Sequence, residues 1–188
     1  MPQGRYAGSS GQEGRPQVDF YVRISEVIDF RSFSNLWFWI ALAVMWSTAS
    51  HWVMGVPWDL VQRARRQGGR AGEDVHQLAC IYAGRLRHIG EAAGLWVVAL
   101  ASFLLTALGI LGFRYGLEFA QALFCLGFPM MLVAGMSHRT ALRIEDLAGP
   151  DLYHALSWHR RQVQGLGVVA IFFTALWGMY QNLRIGAL

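Results

Sequence analysis

Residues 92–113 read AAGLWVVALASFLLTALGILGF, twenty-two consecutive positions without one ionisable side chain. As a helix this run is about 33 Å long at roughly 1.5 Å per residue, enough to cross the roughly 30 Å hydrocarbon core of a bilayer. A helix that is apolar on every side must be buried on every side, and a chain of 188 residues has little soluble core to offer it. Composition points the same way, with 54% apolar residues, 15% charged residues and a mean hydropathy of +0.31.

Three more runs fit a membrane. Residues 36–54 (LWFWIALAVMWSTASHWVM) carry only one titratable group, His51, near their end. Ser34 and Asn35 can cap the start of this run, while Gly55 and Pro57 suit its end. Trp37 and Trp39 at one end and Trp52 and Trp58 at the other make an aromatic belt. Residues 117–136 hold Pro129 as a kink site, and residues 163–183 begin beside Gln162 and end among Trp177, Tyr180 and Gln181. The expected fold is all-α: an integral membrane bundle of four transmembrane helices over 36–54, 92–113, 117–136 and 163–183, with amphipathic cytoplasmic helix extensions.

Residues 1–21 are rich in Gly, Ser, Gln and Pro without an apolar period, so a disordered polar tail is expected there and a single membrane domain over 22–188. Ile24, Val27 and Ile28 give residues 22–33 an apolar face suited to a helix lying in the interface. No cleavable signal is evident in residues 1–34, so the first span should stay as an anchor. Beyond it, Trp58, Leu60, Val61 and Ala64 interleave with Asp59, Arg63, Arg65 and Arg66 in a short surface helix. The QGGRAGE stretch (67–73) reads as flexible. Val75, Leu78, Ala79, Tyr82, Leu86 and Ile89 then recur every three or four residues and run without a breaker into the second span, so that helix should project beyond the bilayer. Ala141, Leu142, Ile144 and Leu147 form a similar face before Gly149, and Pro150 suits the first turn of a new helix.

All sixteen basic residues are arginine. This fits codon usage in a GC-rich genome, and it fits bidentate contacts with lipid phosphates. Ten arginines lie in 55–91 and 137–162, against four (Arg23, Arg31, Arg114, Arg184) close to the spans on the other side. By the positive-inside rule the two longer connections are cytoplasmic and both termini periplasmic, in a bacterial inner membrane. Arg63, Arg65, Arg66, Arg160 and Arg161 form a rim expected to meet anionic headgroups or a partner; no nucleic-acid partner is expected.

The six histidines all fall at span ends or in the two cytoplasmic connections. Interfacial histidine is ordinary where water reaches, but His51, His88 and His138 could share a layer, and two facing imidazoles suffice to ligate haem. His51 and His138 are the favoured pair for that alternative. Glu73-x-x-His76 resembles half of a carboxylate di-iron motif whose second half is missing, so no metal site is expected. Ser137-His138 lacks a nucleophile elbow, and no catalytic residue emerges. Cys80 and Cys125 fall at different depths and read as free thiols. Gly90-x-x-x-Gly94 and Gly112-x-x-x-Gly116 suit packing within the bundle. With no ionisable residue at depth, a proton-coupled transporter is disfavoured.

The stretch VRISEVIDFRSFSNLWFWIALAVMWSTASHWVMGVPWDLVQRARRQGG, with the later RIED and GFRYGLEFAQA segments, resembles a family of uncharacterised proteobacterial four-span inner-membrane proteins. The resemblance covers most of the chain after residue 20. Some members are labelled as components of the Suf iron-sulfur assembly complex, which implies a soluble scaffold and ATPase as partners; this chain has no phosphate loop or cysteine cluster of its own. The resemblance transfers no site residues. The expected role is a non-enzymatic scaffold, assembly factor or accessory subunit of a larger membrane complex. Its partner would be another membrane protein or a second copy, met through 75–89, 141–157 and the arginine rim. A haem- or metal-binding redox protein is the alternative, and an oligomeric pore or carrier a further one.

Overall fold

The computed structural model describes residue 33 and residues 36–144 and 146–186, with side chains as far as residue 183. The tail over 1–21, all but Phe33 of the interfacial helix over 22–33, the capping residues Ser34 and Asn35, and the Arg184 side chain lie outside the described residues.

The first apolar run folds as a shorter helix than its sequence suggests. Helix α1 (Leu36–His51) stops at its sixteenth residue, about 24 Å along. Strand β1 (Trp52–Val53) then pairs antiparallel with β2 (Val56–Pro57), Trp52 opposite Pro57 and Val53 opposite Val56. The two turn residues, Met54 and Gly55, both have positive φ (53° and 83°), the backbone that a two-residue hairpin of right-handed twist demands. A Cβ at Gly55 would also come within 2.6 Å of the Tyr82 ring. The expected span over 36–54 is thus corrected at its end: the helix stops at His51, and Gly55 serves a hairpin turn beyond it.

Helix α2 (Trp58–Gln67) buries Val61 and Ala64 and exposes Arg63, Arg65 and Arg66, as its patterning requires. Gly68 and Gly69, both with positive φ, turn the chain into α3 (Gly69–Gly109), a 41-residue helix about 60 Å long. Arg70 to Glu73 belong to its first turns, so the QGGRAGE stretch is helical rather than flexible over most of its length. A π-turn at Ile110–Arg114 closes α3. Helix α4 (Glu118–Ile144) runs on through Pro129, and α5 (Gly149–Gly186) starts with Pro150 in its first turn. Three of these helical stretches, Gly69–Arg114, Glu118–Ile144 and Gly149–Leu183, are long and apolar enough to cross a membrane. Apart from the hairpin, the described architecture is all-α.

Two hydrophobic cores result. The first joins the hairpin (Val53, Val56), α2 (Val61, Ala64), the first half of α3 (Val75, Ala79, Ala83), the end of α4 (Ala141, Ile144) and the start of α5 (Leu152, Leu156). Alanines facing one another let these helices approach closely. The second core holds α1 (Phe38, Leu42, Trp46) and Phe33 against Ala122 of α4 and Val163 of α5, and Gly167 leaves room for the Trp46 ring. The apolar stripe of 75–89 is therefore largely packed inside the chain, whereas Leu142 and Ile89 point outward.

At the end of the bundle away from the first core, Gln121 is buried and bonded through both ends of its amide. Its Nε2 donates to the Gly112 carbonyl in the π-turn (2.8 Å), and its Oε1 accepts from Trp177 Nε1 (2.9 Å) and Gln181 Nε2 (2.6 Å). Gly112 must lack a side chain, because a Cβ there would meet the Gln121 backbone nitrogen at 2.9 Å. Gln121→Leu should strand three polar groups at about 1–3 kcal/mol each. A thermal unfolding scan in mild detergent should show a marked loss of stability; an unchanged midpoint would mean that this network does not hold α3, α4 and α5 together.

Candidate functional site

Polar and basic side chains converge where α4 ends and α5 begins. His159, only 2% exposed, lies four residues before the span expected at 163–183. Thr140 Oγ1 donates to the Met136 carbonyl one turn back (2.9 Å), so its single proton is committed and it accepts from His159 Nδ1 (3.2 Å). Nε2 is left to accept the Ser137 hydroxyl proton (3.3 Å). Burial pushes the His159 pKa below its ordinary 6.5, so the ring is neutral and both nitrogens are satisfied by α4. The ring pins α5 to α4.

The histidines singled out for haem are placed differently from this. His51 is more than half exposed and its Nε2 lies 3.9 Å from Asp59. His88 is exposed. His138 of α4 packs its ring onto Gly90 of α3, where any Cβ would overlap it, so His138 comes close to the backbone beside His88. His51 instead faces α2. Gly90 and Gly112 thus serve packing within the chain, against His138 and Gln121. His76 Nε2 lies 3.8 Å from Cys80 Sγ one turn along α3, an arrangement the Glu73-x-x-His76 pattern did not reveal. Both cysteines are free, and among the described residues no group of three or more His, Cys, Asp or Glu is placed to hold a metal ion.

The arginine rim divides. Arg63, Arg65 and Arg66 are exposed on α2. Arg160 is committed: its Nε donates to the Ser50 carbonyl (3.2 Å) and its guanidinium lies 4.5 Å from the centre of the Trp58 ring. Arg161 lies over Trp158 at 5.1 Å. One groove of about 670 Å³ is lined by Trp58, Arg65, Tyr153, His154, Arg160 and Arg161. A second, of about 730 Å³, opens on the other side of His154, between α4 and α5, and takes in Arg139 and Arg143. Sequence reasoning counted those two arginines towards topology but not towards a site. Their spacing of four on one helix, opposite Trp158 and Gln162, was the available signal.

Comparison with protein-family models, with curated proteins and with solved structures found no match for this chain.

The His159 bonds make stability depend on pH. A histidine whose folded pKa lies below its unfolded value binds fewer protons when folded, so its contribution is complete above about pH 6.5 and is lost as pH falls through the folded pKa. The unfolding midpoint should therefore drop on acidification below pH 6.5, and His159→Gln should flatten that limb of the midpoint–pH curve. An equally steep limb in the variant would show that the effect does not come from His159.

Proposed function

We propose that this chain is a non-enzymatic integral membrane subunit, a scaffold or assembly factor of a larger bacterial inner-membrane complex. In this reading α1 is the fourth span. Its sixteen residues fall short of the usual hydrocarbon thickness. Local thinning and flanking tryptophans accommodate such a mismatch at modest cost. Phe38, Leu42 and Trp46 pack beside Val163 of α5, which sets α1 alongside the longer apolar helices, and its far side exposes Leu36, Ile40 and Val44. The excess of arginine on the hairpin side supports a topology with that end in the cytoplasm and both termini in the periplasm.

The observation that carries the functional reading is the asymmetry of α3. Its first half is gripped by α2, α4 and α5 through Val75, Ala79 and Ala83. None of the apolar window in its second half is buried within the chain, against 22% of the corresponding windows of α4 and α5. Leu95, Trp96, Val98 and Phe103 face outward, each more than half exposed. The available partner surface is thus within the membrane on α3 rather than on the cytoplasmic stripe, and it suits another transmembrane helix, from a companion or from a second copy.

Introducing cysteine at Phe103 on a background with Cys80 and Cys125 replaced tests this. Phe103→Cys should give a crosslinked species in native membranes, and a control cysteine at Val168 on α5 should not. Extraction in mild conditions followed by mass spectrometry should recover the companion or a dimer. A strictly monomeric, companion-free chain with no α3 crosslink would defeat the reading. A Soret band lost in His51→Ala or His138→Ala would replace it with the haem alternative.

A further inference from the structure

The groove between the last turns of α4 and the first turns of α5 has the chemistry of a phosphodiester site. Arg139 and Arg143 stand one turn apart and both line it, facing His154, Trp158 and Gln162 on α5. Two like charges at this spacing repel. Among the described residues neither guanidinium has an ion pair. Asp151, in the first turn of α5, also lines the groove, where the positive end of its own helix favours it. Among the lining's arginine and carboxylate side chains, two arginines and one aspartate leave an excess of one positive charge. That matches a single phosphodiester.

Depth and shape favour a lipid over a free anion. Arg139 lies three residues past the span expected at 117–136, and Gln162 immediately precedes that at 163–183, so the groove sits at headgroup level. Trp158 is 54% exposed there, as an interfacial belt residue would be. One or two turns deeper, at helical spacing, exposed Leu132 of α4 and Val169 and Phe172 of α5 continue the same faces into the apolar zone. Acyl chains would lie along this strip, and inorganic phosphate would leave it unused.

Building on the membrane reading above, we propose that this groove binds one mono-anionic glycerophospholipid. Its phosphate lies between Arg139 and Arg143 and its acyl chains run along Leu132 and Val169. The site is distinct from the exposed arginines of α2, which meet headgroups only loosely.

Delipidated full-length protein in mild detergent, titrated with phosphatidylglycerol or phosphatidylcholine and read by native mass spectrometry, tests this. Phosphatidylglycerol should bind at lower concentration than phosphatidylcholine. Each arginine near a lipid surface contributes roughly fivefold in affinity, so Arg139→Gln with Arg143→Gln should weaken phosphatidylglycerol binding about twenty-five-fold. Phosphatidylcholine binding should not change, and Arg63→Gln with Arg66→Gln should leave both as they are. As a readout that needs no variant, phosphatidylglycerol should raise the wild-type unfolding midpoint more than phosphatidylcholine does. Equal binding of the two lipids, full retention by the double variant, equal midpoints, or displacement by inorganic phosphate would each overturn the site. Recovery of the chain in the aqueous fraction without detergent would overturn the membrane reading itself, whereas a membrane-bound chain indifferent to phosphatidylglycerol overturns only this site.

Discussion

In the proposed membrane setting no water takes up a stray backbone N–H or C=O, and that constraint bears on every bend in the chain. The π-turn at Ile110–Arg114 disturbs the helical ladder, and Gln121 reaches back across nine residues to bond the Gly112 carbonyl. The same amide accepts from Trp177 and Gln181, so the repair of one backbone group also ties α5 to the junction of α3 and α4. Trp39 makes a smaller repair, donating its indole N–H to the Phe33 carbonyl (3.1 Å) ahead of α1. The hairpin and the turn at Gly149 lie in the arginine-rich part of the chain, which the proposed topology leaves in water.

Two different forces hold the two ends. The hairpin, α2 and the adjoining ends of α3, α4 and α5 enclose a core of Val, Ala, Leu and Ile, which the proposed topology sets in water, where the hydrophobic effect acts fully. Between lipid-bathed helices it does not act, since lipid tails are as apolar as leucine, and close packing with a few polar contacts must serve. The second core fits that rule: it is built from large aromatic rings over small residues, Phe33 and Trp39 near Gly178 and Trp46 on Gly167. His159, held by Ser137 and Thr140, lies where the two regimes meet. The first core forms a cap on the arginine-rich end and joins α3, α4 and α5 there.

The helices themselves were legible in the sequence because uninterrupted apolarity and a period of three to four residues are local signals. The stripe of Val75 and Ala79, the surface helix with Val61 and Ala64 inward, and the restart at Pro150 all follow from pattern alone. What pattern could not show was whom each face meets. The hairpin hid inside an apolar run because it needs a positive φ at Met54, which methionine does not advertise, and because the pairing of Val53 with Val56 involves only two residues per strand. QGGRAGE looked flexible because three glycines weaken a helix, yet packing around Val75 extends α3 back to Gly69. Among histidines equal in sequence, burial singles out His159, and burial depends on α4 and α5 coming together at positions nineteen and twenty-two residues apart.

The arginines acquire their meaning from this division. An arginine on the cap's outer surface is hydrated and interchangeable, which is the condition of Arg63, Arg65 and Arg66. Arg160, pinned between the Ser50 carbonyl and Trp58, links α5 to the end of α1 and acts as structure. Arg139 and Arg143 belong to neither class: they stand one turn apart near the end of α4 and line a groove with one aspartate from α5. Their mutual repulsion weighs against leaving that groove without an anion. The headgroup proposed there would balance the groove's excess positive charge and bridge α4 to α5 beside Thr140, which bonds the buried His159. It would thereby add to the same joint that orients the three long helices and leaves the membrane half of α3 free for another helix.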